Sequence, residues 1–176
     1  IALIKATKNP RDKAIIMLIL DTGIRSRELR ELTNEHIDLE DGQLWINKSK
    51  TGRQRSLPFS TQTAKALREW SLVREENTKW FFHNVDFEYG TQITTFGLYT
   101  TLRRIGKRAG LSNVGPHILR HTFSRMFISN GGNVHSLRHM LGHSTLDMST
   151  RDVNLHGEDL KNIHNEVAPL TSVIFK

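Results

Sequence analysis

The sequence contains no cysteine. This absence excludes disulfide bonds, zinc sites built on thiolates and a cysteine nucleophile. A chain without disulfides suits a reducing compartment, since disulfides form and persist mainly in oxidising ones. We therefore expect a cytoplasmic protein.

Long apolar segments are also absent. The longest apolar run is seven residues, 14–20, whereas a helix that spans a bilayer needs about 20. No signal peptide, internal repeat or low-complexity segment is visible, and the first residue is not Met. We expect no membrane partner, and a chain that is a fragment or an excised domain.

Acidic residues are too few to balance the basic ones. The chain of 176 residues has 18 Asp and Glu against 25 Lys and Arg, which gives a formal net charge of +7. Such an excess favours a polyanionic partner, nucleic acid before an anionic membrane. The length suits one full domain and excludes two large ones.

Helical patterns dominate, with one short interruption. Asn9 followed by Pro10 is typical of a helix start, and the apolar run behind them predicts a buried central helix. Between residues 37 and 59, the turn signals Asp41-Gly42 and Thr51-Gly52 separate short alternating runs. These runs predict a small antiparallel sheet of two or three strands. The stretch 79–84 is either a third strand or an extended segment.

The apolar spacing predicts further helices, which are 26–32, 60–76, 98–109, 117–130, 133–141, 146–153 and 157–166. In the helix 117–130 the predicted core stripe is Leu119, Phe123, Met126 and Phe127. The fold class is therefore α+β, mainly α-helical, with an antiparallel sheet of about three strands. The apolar tail is too short to fold alone and should pack on this chain or on a neighbour.

Three groups of polar residues could carry chemistry. Arg25 follows a glycine turn, where its planar fork could bind a phosphate bidentately. His117 and Arg120 share one face of a helix start, and free N–H groups there favour anions. The stretch 48–55 places four basic residues near a hairpin tip, where they could contact phosphates. Taken singly, each group could equally be an ordinary structural or solvated feature.

Histidines at four-residue spacing imitate a metal site. His117 and His121 form one such pair, and His135, His139 and His143 form a second series. No glutamate follows His117 as in an H-E-x-x-H motif, and glycine breaks the helix just before His143. We expect no metal.

The order of these groups along the chain resembles the catalytic domain of the tyrosine recombinases, the phage integrase family. The matching segments are TGIRSREL, KTGRQRSLP, HILRHTF and LGHS, and the resemblance covers residues 8–164. It implies a DNA breaking-rejoining core, double-stranded DNA as the partner, a bacterial or phage origin and no cofactor. It also implies a catalytic domain over 1–165, a tail over 166–176 that packs on a neighbouring protomer of a homo-tetramer, and a preceding core-binding domain that this chain lacks.

The resemblance also implies roles for individual residues. Arg25 and Arg120 would hold the non-bridging oxygens of the scissile phosphate, and His117 and His143 would add hydrogen bonds and handle protons. Lys50 would protonate the departing 5′ oxygen. Charge builds on the phosphate oxygens in the transition state, so guanidiniums aimed there stabilise that state most.

Three further residues have secondary roles in this scheme. Lys48 is the alternative to Lys50, because both lie in the predicted hairpin. Arg53 would bind DNA phosphate, and Glu28 would support the fold near Arg25.

One position departs from the family pattern. The nucleophilic tyrosine is expected nine residues after His143, where this sequence has Asp152. Both tyrosines, Tyr89 and Tyr99, lie far upstream. An aspartate is shorter than tyrosine, and its charge opposes that of the phosphate. We therefore expect strand cleavage to be disabled and DNA binding to be kept, as in an engineered variant.

Other functions remain open at this stage. A non-catalytic DNA-binding protein derived from the recombinase fold is favoured if Asp152 is the native residue. A type IB topoisomerase would share the chemistry, and a histidine-based metallohydrolase would require a bound metal.

Overall fold

The structure, a computed structural model, describes residues 2–47, 54–85 and 88–142. The elements of this part of the chain are α1 (Ala2–Lys5), α2 (Pro10–Thr22), α3 (Ser26–Arg30), a 3-10 turn (Asn34–His36), β1 (Ile37–Asp38), β2 (Gln43–Asn47), β3 (Gln54–Pro58), α4 (Thr61–Ser71), α5 (Thr95–Arg108), α6 (Pro116–Ser129) and α7 (Val134–Leu141). The predicted α+β class, mainly helical with a small antiparallel sheet, is confirmed.

Helix α2 lies at the centre of the core. The Asn9 side chain accepts a hydrogen bond from the Asp12 N–H at 2.8 Å, and Pro10 occupies the first helical position. Gly23 ends the helix with φ of +63°, a conformation that glycine adopts at little cost. The apolar side chains of α2 are buried against α4 and α6. The predicted central helix is confirmed.

The sheet has the order β1-β2-β3, and both pairings are antiparallel. Leu44 lies opposite Leu57, and Ile46 lies opposite Arg55. All four side chains are buried. Since residues directly opposite each other share a face of the sheet, this face packs toward the core.

The stretch 79–84 does not form the third strand, which is β1 instead. In the described residues it makes a single bridge, between His83 and Gln92. Side chains bind its carbonyls in place of a neighbouring strand: Arg74 binds that of Trp80, Trp70 that of Phe81, and Arg11 that of His83. A backbone bound in this way is an extended segment.

Two other expectations need correction. Helix α4 ends at Ser71 rather than at residue 76, because Arg74 turns inward to bind Thr78 and Trp80. Met126 is 54% exposed and lies outside the core of α6. The buried stripe of α6 continues to Ile128 instead.

The predicted helices 146–153 and 157–166 and the tail lie outside the described residues. None of the described helices has the length and apolarity that crossing a membrane would require.

Candidate functional site

Arg25 lies between α2 and α3, two residues after Gly23, and its side chain is turned to the surface. Its backbone N–H donates to Glu28 Oε2 at 2.9 Å, and its Nη1 donates to Glu28 Oε1 at 3.2 Å. The Arg25 side chain is still 40% exposed. The guanidinium is therefore held by the protein and is also accessible to a ligand.

Arg120 belongs to the buried stripe of α6 despite its charge, and it is 8% exposed. Its Nη1 donates to the carbonyl of Gly23, and its Nη2 donates to the carbonyl of Leu141 at 2.9 Å. A buried cation needs such partners, because its charge is costly to remove from water. Arg120 thus fastens the loop before Arg25 to the end of α7.

The arginines meet at the end of α7. The last carbonyls of a helix have no acceptor role inside it and carry the negative end of the helix dipole. Arg55 Nε donates to the carbonyl of Met140 at 3.0 Å, and Arg25 Nη2 donates to that of Gly142 at 3.0 Å. Together with Arg120, these side chains bind three consecutive carbonyls. We call Arg25, Arg55 and Arg120 the arginine cluster.

The charge pattern assigns Arg55 to the basic hairpin tip and predicts no individual role for it in the site. It lies instead on β3 and is 5% exposed. The sequence does contain a signal for this. Arg55 stands two residues before the apolar Leu57, so strand alternation places both on the core-facing side. An arginine at an inward position of a strand needs internal partners.

Glu28 lies between Arg25 and Arg55. Its Oε2 accepts a hydrogen bond from Arg55 Nη2 at 2.8 Å. Burial alone would raise the pKa of Glu28, but the hydrogen bond and charge of Arg55, with smaller contributions from Arg25, hold that pKa below its usual value. Glu28 therefore stays ionised at neutral pH, and the predicted supporting position next to Arg25 is where the structure places it.

His117 is exposed in the first turn of α6, directly after Pro116. It precedes Arg120 by one helical turn, as the spacing predicts. The structure thus brings Arg25 and Arg120 together at one point and places His117 one turn away along α6.

The remaining predicted site residues lie outside the described residues, and their roles stay predictions. They are Lys50 with its alternative Lys48, Arg53, His143 and Asp152. In sequence, the segment 48–53 connects β2 to β3, and His143 directly follows Gly142, whose carbonyl Arg25 binds.

Four histidines of the two predicted series lie in the described residues. His117 and His121 on α6 and His135 and His139 on α7 are all exposed. Within 2–47, 54–85 and 88–142, no three His, Asp or Glu side chains are grouped so that they could hold a metal ion.

The arginine cluster holds three guanidiniums, of which those of Arg25 and Arg55 form ion pairs with the carboxylate of Glu28. Guanidiniums bind phosphate oxygens through charge-assisted hydrogen bonds. Because Arg25 is the most exposed of the three, it offers the donors that an incoming anion would meet first. The geometry suits an oxyanion held at the protein surface.

A mainly helical domain with a three-stranded antiparallel sheet has the fold class of a tyrosine recombinase catalytic domain. The sequence profile of the phage integrase family matches residues 2–155. The chain belongs to this family.

Named relatives agree with this assignment. The chain is 35% identical over 160 residues to the tyrosine recombinase XerA of Saccharolobus solfataricus, a match that covers 91% of this chain and 51% of that protein. It is similar to a crystal structure of XerA recombinase with a TM-score of 0.84 and 25% identity, covering 96% of this chain and 62% of the other.

The fold is also similar to that of the XerH site-specific recombinase bound to palindromic difH substrate in a post-cleavage complex. That likeness has a TM-score of 0.76 and 23% identity, and it covers 93% of this chain and 49% of the other. The chain spans about half the length of the curated relatives it matches.

Proposed function

We propose that the chain is the catalytic domain of a site-specific DNA recombinase or integrase that binds double-stranded DNA in the cytoplasm. The observation that carries the proposal is that Arg25 and Arg120, 95 positions apart in the sequence, donate to the neighbouring carbonyls of Gly142 and Leu141. Two guanidiniums at one point suit a single phosphate group. The net charge of +7 suits a DNA backbone around it.

Each predicted residue has a place in this function. Arg25 and Arg120 stabilise the negative charge that develops on the phosphate oxygens, while His117 and His143 add hydrogen bonds and handle protons. By analogy with other phosphoryl-transfer arginines, loss of one would slow the reaction about 10³-fold or more. Lys50 supplies the proton that the departing 5′ oxygen needs, since an unprotonated alkoxide is a poor leaving group. Arg53 adds a DNA-phosphate contact.

In the family reaction, a tyrosine oxygen attacks the phosphorus and the bond to the 5′ oxygen breaks. The products are a 3′-phosphotyrosyl link and a free 5′ hydroxyl. Asp152 stands at the tyrosine position in this chain. We propose that strand cleavage is therefore disabled while DNA binding is kept, as an engineered substitution would achieve.

The test restores the nucleophile with Asp152→Tyr. The restored protein is mixed with a pool of nicked suicide duplexes whose central segment is randomised, and covalent protein–DNA adducts are measured on a denaturing gel. Adducts are expected for Asp152→Tyr and not for the matched control Asp152→Phe, which has the ring without the hydroxyl. Failure of Asp152→Tyr to form adducts, in a folded protein that binds DNA, would contradict the catalytic assignment.

That negative result would favour the alternative, a non-catalytic DNA-binding protein derived from the recombinase fold. The observation that favours it is the aspartate itself, if it is the native residue.

The domain organisation and assembly are also proposals. Residues 1–165 form the catalytic domain, and the apolar tail 166–176 packs on a neighbouring protomer of a homo-tetramer on DNA. An apolar groove of about 910 Å³ supports this, because α6 and α7 line it with partly exposed side chains such as Met126 and Phe127.

Deletion of residues 168–176 tests the assembly. We expect weaker self-association on DNA, measured by analytical ultracentrifugation, with unchanged thermal unfolding of the core. Met126→Glu in the groove should give the same result, whereas Leu72→Glu at the end of α4 should not. Equal self-association of all three variants and the parent chain would contradict the proposal.

A further inference from the structure

Arg55 contacts two parts of the site at once. Its Nε donates to the carbonyl of Met140 at 3.0 Å, and its Nη2 donates to Glu28 Oε2 at 2.8 Å. With 5% of its surface exposed, Arg55 is the least accessible arginine of the cluster. It is therefore placed to act on its neighbours and not on a ligand.

The strand register fixes where Arg55 can reach. Arg55 lies opposite Ile46 in the β2–β3 pair, on the face that carries Leu44 and Leu57 into the core. A slip by one residue would turn this guanidinium to the opposite face. The position of β3, which directly follows the segment 48–53, is thereby tied to the site.

Glu28 connects the fixed Arg55 side chain to Arg25. Its Oε2 accepts from both Arg55 Nη2 and the backbone N–H of Arg25, while its Oε1 accepts from Arg25 Nη1. The Glu28 side chain is 15% exposed, so its charge depends on these two cations more than on water. Without Arg55, one carboxylate oxygen would lose its strongest partner and the grip on Arg25 would loosen.

The end of α7 is shaped around the same guanidinium. Gly142 has φ of +63°, and a Cβ atom added there would lie 3.0 Å from Arg55 Nη1 and 3.3 Å from Arg25 Nη1. Among the described residues, no acceptor binds the buried Nη1 of Arg55. Glycine therefore leaves the space in which two guanidiniums lie against the helix end.

We propose that Arg55 is a positioning residue of the recombinase site, which orients Arg25 through Glu28 and fixes the carboxyl end of α7 ahead of His143. The positioning role of Arg55 rests on the proposed function in one respect, which is that the oriented Arg25 binds a DNA phosphate. A lysine could not replace Arg55, because its donors all lie on one nitrogen, whereas Arg55 reaches Met140 and Glu28 from two separate nitrogens of a planar group.

The first test needs no DNA. In protein with isotope-labelled arginine, the Nε–Hε signal of Arg25, assigned from its loss in Arg25→Lys, reports the order of that side chain. We expect Arg55→Lys to make the Arg25 signal mobile. The matched control is Arg74→Lys, since Arg74 is also buried and binds Asn34, Thr78 and Trp80. An unchanged Arg25 signal in folded Arg55→Lys would overturn the proposal.

If Arg55→Lys does not fold, Glu28→Gln is used instead, because it removes the charge that joins Arg55 to Arg25. It should mobilise the Arg25 side chain in the same way. A folded Glu28→Gln protein with an ordered Arg25 would overturn the proposal equally.

The second test is a double-mutant cycle on affinity for a mixed-sequence duplex. Arg55→Lys should weaken binding on the order of threefold to tenfold in the parent chain and leave it unchanged in an Arg25→Ala background, because coupled residues are not additive. Equal losses in both backgrounds would show that Arg55 acts only through general stability. If Arg25→Ala does not weaken binding at all, the proposed function is contradicted. The role of Arg55 is then decided by the Nε–Hε signal of Arg25 in the first test.

Discussion

Two of the groups of arginines that bind backbone carbonyls in the described part of the chain differ in exposure. Arg11 and Arg74 hold the segment 78–83, where both are buried. Arg11 is neutralised by the adjacent Asp12 at 2.7 Å. The arginine cluster binds the end of α7 in the same manner, but Arg25 keeps 40% of its side chain exposed.

This difference in exposure distinguishes arginines with a structural role from the arginines of a candidate site. Guanidiniums that bind loop or helix-end carbonyls satisfy groups that would otherwise be unpaired, and this alone predicts no ligand. The cluster adds one accessible guanidinium held in place by a partly buried carboxylate, that of Glu28. A preorganised, exposed cation is what recognition of an anion requires.

Arg120→Ala should have the largest effect in this comparison. It removes two charge-assisted hydrogen bonds from the core, which should lower the free energy of unfolding by about 3 kcal/mol. Urea denaturation measures the loss, and DNA affinity is measured where both proteins are folded. Arg74→Ala should lose comparable stability with unchanged DNA affinity. If both variants lose DNA affinity equally, the two arginine groups do not differ in function.

Gly142→Ala should have the next largest effect. Alanine at a positive φ costs about 1–2 kcal/mol, and here the new methyl group would also displace Arg55 and Arg25. Gly110→Ala is the matched control, because φ there is +71° and no atom of the described residues lies within 4 Å of an added Cβ. Thermal unfolding should show a greater loss for Gly142→Ala. Equal losses would mean that the guanidiniums are not closely packed there.

Glu28→Gln should have the smallest effect on the free energy of unfolding at neutral pH, because glutamine keeps the side-chain volume and one acceptor oxygen, although it loses the ionic contacts with Arg25 and Arg55. The pKa of Glu28 is lower in the folded protein than the value of about 4.3 expected when unfolded. The carboxylate therefore stabilises the fold above that pH, and this contribution is lost as the pH falls through the lower folded pKa. Urea denaturation at a series of acidic pH values should show a flatter profile for Glu28→Gln. Glu69→Gln, at a more exposed ion pair with Lys13, should change the profile less.

The sequence predicted most of what local patterns control. The helix start at Asn9, the two-residue alternation of β2 and β3, and the positions of Arg25 and Arg120 follow from short-range signals and from the order of the motifs. Their convergence on the neighbouring carbonyls of Gly142 and Leu141 does not, because it depends on how α6 and α7 pack. For the segment 79–84, the pattern does not decide between a strand and an extended segment, because the outcome depends on distant side chains such as Arg11, which bind its carbonyls.

Arg55 shows that the charge pattern alone does not predict whether a residue is buried. In the sequence it continues a basic run that begins at Lys48, and the charge pattern indicated a solvated hairpin tip. The strand pattern indicated a buried position. The structure shows that the strand pattern was the better guide.

The most direct test of the account compares two arginines at the start of α3. Arg25→Ala and Arg27→Ala remove the same charge, but Arg27 is 75% exposed and pairs only with Glu31 among the described residues. Affinity for a mixed-sequence duplex is measured over a range of salt concentrations. We predict that Arg25→Ala weakens binding more and reduces the salt slope by about one further ion, as expected for a lost phosphate contact. Identical affinities and slopes for the two variants would contradict the claim that Arg25 binds DNA phosphate.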